Sequence, residues 1–201
     1  MSLFSKEKNH LKLPDAELIY LPNFLDECQS NFYFEYFLNH LEWQQDDITV
    51  FGKTYPQPRL TALYGENNKP YSYSNITMHP KPMPPELQKL KNKVEMDSNH
   101  EYSSVLMNLY RTGMDSNGWH ADNEKELGIN PIIASLSLGA ERMFHIKHKV
   151  IKDERHNFLL QNGSLLIMKE SMQHHWLHQI PKTKKEIGKR INLTFRKIQN
   201  V

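Results

Sequence analysis

Between Arg190 and Arg196 apolar and polar side chains alternate without a break. Ile191, Leu193 and Phe195 fall on one face of an extended backbone, and Arg190, Asn192, Thr194 and Arg196 on the other. A half-buried strand ordinarily turns Thr, Lys or Glu to solvent, whereas this one turns out two guanidiniums with an amide and a hydroxyl between them. Arginine presents a rigid fork of donors matched to carboxylates, so the face is equipped to hold a dicarboxylate; the bland alternative is a solvated strand edge. Val105–Tyr110 agrees, with polar Asn108 and Tyr110 on one face and apolar Leu109 on the other. Further strands are expected over 132–138 and 143–146, and Asn162-Gly163 has the chemistry of a hairpin turn between strands 157–160 and 165–168. Upstream, 26–43 and 85–94 carry apolar residues at helical spacing. Helices first and many short strands from Ser104 onward predict a mainly β sandwich with flanking helices.

Composition fits one compact domain over residues 1–201, with about the first twelve residues a flexible lead. The single Cys28 excludes an internal disulfide, and no apolar run approaches a membrane span or a signal-peptide core. These features predict an intracellular monomer, cytoplasmic in a bacterium or nuclear in a eukaryote, with no membrane partner. A net charge of +2 is too small to announce a nucleic-acid protein, so any phosphate footprint must come from local patches.

Trp119-His120-Ala121-Asp122 contains a His-x-Asp pair. On an extended backbone alternate side chains share a face, so His120 and Asp122 can reach one metal ion. With one distant His they would form the facial triad that holds Fe(II) and leaves positions open. In a chain with 11 His the pair alone is a weak signal. For the third ligand His174, His175 and His178 lie close together and spacing does not choose among them, while His145, His148 and His156 read as solvated. Phe51 beside Gly52, and Tyr71 and Tyr73 on one face of an extended segment, read by themselves as core aromatics. Lys182, Lys184 and Lys185, with Lys189 behind them, read as a solvated face, and Glu124 as a surface acid.

Taken together, Asn108-x-Tyr110, His120-x-Asp122, His178 shortly before Pro181, and Arg190-x-Asn192-x-Thr194-x-Arg196 resemble the AlkB family of Fe(II)/2-oxoglutarate dioxygenases, most of all the branch that repairs double-stranded DNA. The resemblance runs from about Val50 to Ile198. It implies a double-stranded β-helix, or jelly roll, with iron on His120, Asp122 and His178 as the catalytic centre. It also implies 2-oxoglutarate on Asn108, Tyr110, Arg190, Asn192, Thr194 and Arg196, O2 as co-substrate, and DNA carrying alkylated bases as partner. The implied reaction is oxidative dealkylation of bases such as 1-methyladenine and 3-methylcytosine, releasing formaldehyde, succinate and CO2. In this reading Phe51 fills the gap left by an extruded base, which Tyr73 stacks upon with Tyr71 nearby. Tyr73 stands where the best-known relative has Phe. Lys182, Lys184 and Lys185, and more weakly Arg59, would grip phosphates, and Glu124 would favour cationic lesions. The same triad and arginines would serve an RNA demethylase or a small-molecule hydroxylase, and a non-catalytic nucleic-acid binder is the remaining alternative.

Overall fold

The computed structural model describes residues 8–50, 52–66, 71–73 and 76–199, and for 49, 50, 71–73, 76 and 77 the backbone alone. In chain order the elements are β1 (Asn9–Leu13), β2 (Ala16–Leu21), α1 (Glu27–His40), β3 (Asp47–Val50), β4 (Lys53–Pro56), β5 (Leu60–Gly65), β6 (Tyr71–Tyr73), β7 (Ile76–Met78) and β8 (Lys81–Pro82). Next come α2 (Pro85–Ser98), β9 (Ser104–Tyr110), β10 (Asn117–His120), β11 (Ile133–Gly139), β12 (Arg142–His148), β13 (Arg155–Leu160) and β14 (Leu165–Lys169). The chain closes with the short α3 (Met172–His175), β15 (Trp176–Ile180) and β16 (Arg190–Arg196).

Two sheets make the sandwich. Among the described residues the major sheet runs β1-β2-β14-β11-β16-β9-β5-β8, and the minor sheet runs β10-β15-β12-β13. The alternation of each central strand sorts its side chains into two cores. Leu106 and Tyr110 of β9 and Leu166 and Met168 of β14 pack between the sheets with Phe144, Phe158 and Trp176 of the minor sheet. Val105, Met107 and Leu109 of β9 and Ile191, Leu193 and Phe195 of β16 face the other way, onto Phe37 of α1 and Leu87, Leu90 and Val94 of α2. With both faces covered, β9 and β16 are buried throughout. The polar side of β16 is thus an interior face looking between the sheets, and the solvated-edge alternative falls. This is the jelly roll expected from the resemblance.

Local signals set the helix ends. Asp26 caps α1, accepting from the Gln29 backbone N–H at 2.7 Å, while the Gln29 side chain accepts from the Asp26 N–H at 3.3 Å. α2 runs past Val94 and stops where Asn99 takes a left-handed φ of 50°.

Three expectations are corrected. The lead is not free over its whole expected length, because β1 pairs along β2 from Asn9↔Tyr20 to Leu13↔Ala16. Helices do not come first, since β1 and β2 precede α1 and β3–β8 separate the helices. The Asn162-Gly163 turn closes no hairpin: β13 pairs with β12 in the minor sheet, and β14 pairs with β11 and β2 in the major one. Gly163 does adopt a left-handed φ of 73°, but the groups of this turn bond elsewhere. Its N–H donates to Ser137 O at 2.8 Å, its carbonyl accepts from Leu25 N at 3.0 Å, and Asn162 Oδ1 accepts from Gly139 N at 2.9 Å. The turn carries the chain from one sheet to the other.

Candidate active site

Between the sheets lies a cavity lined by Asn108, Tyr110, His120, Asp122, His178, Arg190, Asn192, Thr194 and Arg196, with Leu106, Phe144, Leu160 and Met168 among its apolar walls. All of the residues assigned from sequence to the metal and the co-substrate converge there. β9 and β16 are adjacent and antiparallel, so Asn108 faces Asn192 and Tyr110 faces Arg190 in register; period-two alternation then turns all four inward.

His120, the last residue of β10, pairs with His178 of β15, and their ring centroids are 4.2 Å apart. With Asp122 they bring three ligand atoms within 4.8 Å of one another. Nδ1 of His120 lies 2.8 Å from the Gly118 carbonyl and so carries the ring proton. Nε2 then has its lone pair directed at Asn117 Nδ2, 3.1 Å away, and available to a metal. Burial pushes the His120 ring below the ordinary histidine range and pushes His178 down to about 3, so both are neutral at pH 7. Burial alone would raise Asp122, but the charge of the Arg196 guanidinium, together with its hydrogen bond, leads the effects that outweigh it and hold the carboxyl below its usual range. Two neutral imidazoles and a carboxylate are the donor set and protonation states that a divalent iron ion needs. His178 Nδ1 is buried with no hydrogen-bond partner among the described residues, so the residues present fit a metal ion.

The co-substrate side shows the same fit. Arg190 is 1% exposed. Its Nη2 donates to Ser137 Oγ at 2.9 Å and its guanidinium lies 5.2 Å from the Tyr110 ring centroid, yet its Nε and Nη1 are buried with no hydrogen-bond partner among the described residues. A buried cation with two unused donors on a cavity wall is a receptor for an anion. Arg196 donates from Nη2 to Asp122 Oδ1 at 2.7 Å, both groups being buried, so it joins the co-substrate wall to the metal ligands. Asn192 Nδ2 is anchored by Ser135 Oγ at 2.8 Å, and its Oδ1 accepts from Thr194 Oγ1 at 3.2 Å.

The residues expected to meet nucleic acid are distributed differently. Lys182, Lys184 and Lys185 are exposed on the loop between β15 and β16. That loop is pinned at its base: Thr183 N donates to Gly113 O at 2.8 Å, and the buried Arg142 donates to Pro181 O at 2.7 Å and Asp115 O at 2.9 Å. Glu124, half-buried, precedes a short 3-10 turn and lies outside the cavity lining. Phe51 and the side chains of Tyr71 and Tyr73 lie outside the described residues. The expectation for Arg59 is corrected. It is 3% exposed, with Nε donating to Asn108 Oδ1 at 2.7 Å and Nη1 to Ser116 O at 3.1 Å, so it cannot reach a phosphate backbone. Instead it braces Asn108, because turning Asn108 inward leaves a buried carboxamide oxygen that needs a donor.

His148, expected in solvent, is buried beside Asp15 and His175, a second set of three potential ligands. Its Nδ1 accepts from Val150 N and Ile151 N at 3.1 and 2.9 Å. With Nδ1 accepting, the ring proton lies on Nε2, facing Asp15 Oδ2 at 3.3 Å, so His148 keeps no lone pair for a metal there. The group is a clip between the β1–β2 turn and the end of β12. Several residues that matter to the cavity were not singled out by sequence: Asn117, Ser135, Ser137, Arg142 and Gln173. None carries a motif, and only their contacts reveal them.

Comparison with known proteins agrees with this geometry. Residues 17–196 match the family model described as the 2OG-Fe(II) oxygenase superfamily. The alpha-ketoglutarate-dependent dioxygenase alkB homolog 3 of Bos taurus is 44% identical over 186 residues, covering 88% of this chain and 64% of the relative. DNA oxidative demethylase ALKBH2 of Bos taurus is 38% identical over 158 residues, covering 75% of this chain and 57% of the relative. The chain thus spans less than two thirds of the length of either. The solved structure of OsALKBH1 superposes with a TM-score of 0.66 at 17% identity, over 93% of this chain and all of that one. On the match to the family model and the identity with its AlkB members, this chain belongs to the 2OG-Fe(II) oxygenase superfamily.

Proposed function

We propose that the protein is an Fe(II)/2-oxoglutarate-dependent demethylase of alkylated bases in DNA, acting on lesions of the 1-methyladenine and 3-methylcytosine type. The observation that carries the reading is the meeting, in one cavity, of a His120/Asp122/His178 donor set with a buried Arg190 whose Nε and Nη1 have no hydrogen-bond partner among the described residues. His120, Asp122 and His178 would hold the iron, and Arg190, Arg196, Asn108, Tyr110, Asn192 and Thr194 the 2-oxoglutarate. Iron held there would supply O2 chemistry in which one oxygen atom goes to an N-methyl group and the other to succinate as 2-oxoglutarate loses CO2, and the hydroxymethyl base would then lose formaldehyde. The chain's own contribution is placement. Arg196 holds Asp122 as a carboxylate, Arg59 and Ser135 fix the amides of Asn108 and Asn192, and Leu106, Phe144, Leu160 and Met168 keep water from the reacting centre.

DNA as substrate rests on the names of the relatives and on the exposed lysines of the loop pinned by Gly113 and Arg142. Those lysines suit backbone phosphates, and a small-molecule substrate gives them no task. Glu124, near the iron ligands in sequence, is suited to favour the cationic methylated bases over their neutral parents. Phe51, Tyr71 and Tyr73 take the roles of gap-filler and stacking partners for an extruded base. The test is formaldehyde release from oligonucleotides carrying 3-methylcytosine, as duplex, single strand and RNA. Release that needs both Fe(II) and 2-oxoglutarate, and is largest on DNA, supports the reading; 2-oxoglutarate turnover that no methylated nucleic acid stimulates refutes it. Phe51→Ala should damage repair of duplex far more than of an already unstacked strand, and equal loss on both would make Phe51 a core aromatic.

A further inference from the structure

His120 and Asp122 were expected to share a face of one strand, but β10 ends at His120. Residues 121–124 have no ladder partner among the described residues, although Asp122 is 2% exposed. A buried backbone N–H outside a sheet requires another acceptor. It is provided by Gln173, a fully buried residue of α3 distant in sequence, whose Oε1 accepts from Asp122 N at 2.9 Å. The other end of the same amide, Nε2, donates to the Met168 sulfur at 3.7 Å. Since Oε1 is an acceptor only and Nε2 a donor only, this pair of contacts allows a single amide orientation.

We infer that Gln173 is a positioning residue for the metal centre, its side chain replacing the missing strand partner and fixing the backbone from which the Asp122 carboxylate is presented. Arg196 holds the same ligand at the carboxylate end, at 2.7 Å, so Asp122 is gripped at both its main chain and its side chain. α3 runs straight into β15, which carries His178. One short segment thereby sets two of the three ligands, and the distance between them depends on the α3–β15 junction and the Gln173 amide. Without the acceptor the Asp122 backbone can turn to find another partner, which moves a carboxylate that must reach the metal from a fixed direction. The inference rests on the reading of His120, Asp122 and His178 as a metal site.

Cobalt(II) titration separates the two claims, because octahedral and tetrahedral ligand fields give distinct visible bands without any turnover. Wild-type protein that binds no Co(II) would remove the metal site itself. If it binds, Gln173→Met, which keeps the volume and deletes the acceptor, should weaken Co(II) binding about 10- to 100-fold and change the visible bands. Gln173→Glu, which keeps an acceptor oxygen, should bind within a few-fold of wild type. Unchanged affinity and bands in a folded Gln173→Met protein, or equal loss in both variants, overturns the inference. Hydrogen exchange on the wild type needs no variant: the Asp122 amide should be protected like the strand amides of β15, and exchange at the rate of an open loop would also overturn it.

Discussion

Arg190 offers a prediction in which stability and binding move in opposite directions. Burial pushes its guanidinium down to about 10, so it is a cation at pH 7, and among the described residues no carboxylate pairs with it. What it has among the described residues is a hydrogen bond to Ser137 and the side chain of Tyr110, which meets it at the ring and favours its charged form. Placing a charge in the interior costs several kcal/mol after relaxation, and a ring contact returns about 0.5–2 kcal/mol. Arg190→Met replaces that cation by an apolar chain, so the ligand-free protein should gain about 1–3 kcal/mol, a rise in Tm of about 3–10 °C for a chain of this size. The same change deletes the two donors, Nε and Nη1, reserved for the anion. At about 1.5–3 kcal/mol for each charge-assisted bond, 2-oxoglutarate affinity should fall by about two to four powers of ten. Scanning calorimetry of metal-free protein gives the first quantity, and isothermal titration of 2-oxoglutarate into Ni(II)-loaded protein under argon gives the second. A variant that melts lower and binds 2-oxoglutarate as well as wild type would show that Arg190 serves the fold.

Asp122→Ala should lose the metal and also leave the buried Arg196 without that carboxylate, costing about 3–5 kcal/mol; denaturant unfolding should find Asp122→Asn much less damaged, and equal stability would deny the pair a structural role. Gly113→Ala would set a Cβ 2.6 Å from Thr183 O and 2.8 Å from Lys185 O, so the basic loop must shift; oligonucleotide affinity should fall and its log-log salt dependence flatten, with Co(II) affinity kept. For metal-free protein, His178 sits at about 3 when folded against about 6.5 unfolded. The unfolded chain therefore binds the extra proton between those values, and stability is full above about pH 6.5 and lost as pH falls toward 3. His178→Leu should blunt the drop in Tm between pH 7 and 5, and an identical drop would place the acid sensitivity elsewhere.

What could be read from the sequence was the part that lies on strands. Alternation along 104–110 and 190–196 turns Asn108, Tyr110, Arg190, Asn192, Thr194 and Arg196 to one side whatever the fold, and the structure places that side in the cavity. Alternation does not say what a face looks at. A polar face meant for solvent and one meant for an anion have the same period, and only the residue types, two arginines with no acid among them, hinted at the second. The failures share a cause as well. Asn162-Gly163 specifies a tight turn with a left-handed residue, but turn chemistry fixes a few backbone angles and leaves the partner strand to the packing of whole sheets. Arg59 looked like a surface cation because nothing local tells a guanidinium under a sheet from one above it. Its burial follows from Asn108, far along the chain, turning inward and needing a donor on its carboxamide oxygen.

Gln173 marks the limit most sharply. A glutamine between a methionine and two histidines carries no motif, and its task arises only because β10 stops one residue before Ala121 and leaves Asp122, the proposed metal ligand, on backbone outside the sheet. Residues on regular elements announce themselves by period, since the element repeats them. Residues that stand in for a missing element appear once, wherever the tertiary fold leaves a buried polar group without a partner. In this family fold the residues proposed for the metal and the co-substrate, Asp122 excepted, lie on regular strands, while supports such as Gln173 and Arg59 are of the second kind. A search by motif therefore recovers the chemistry of the site, and recovering its rigidity takes a full account of where each buried donor and acceptor goes.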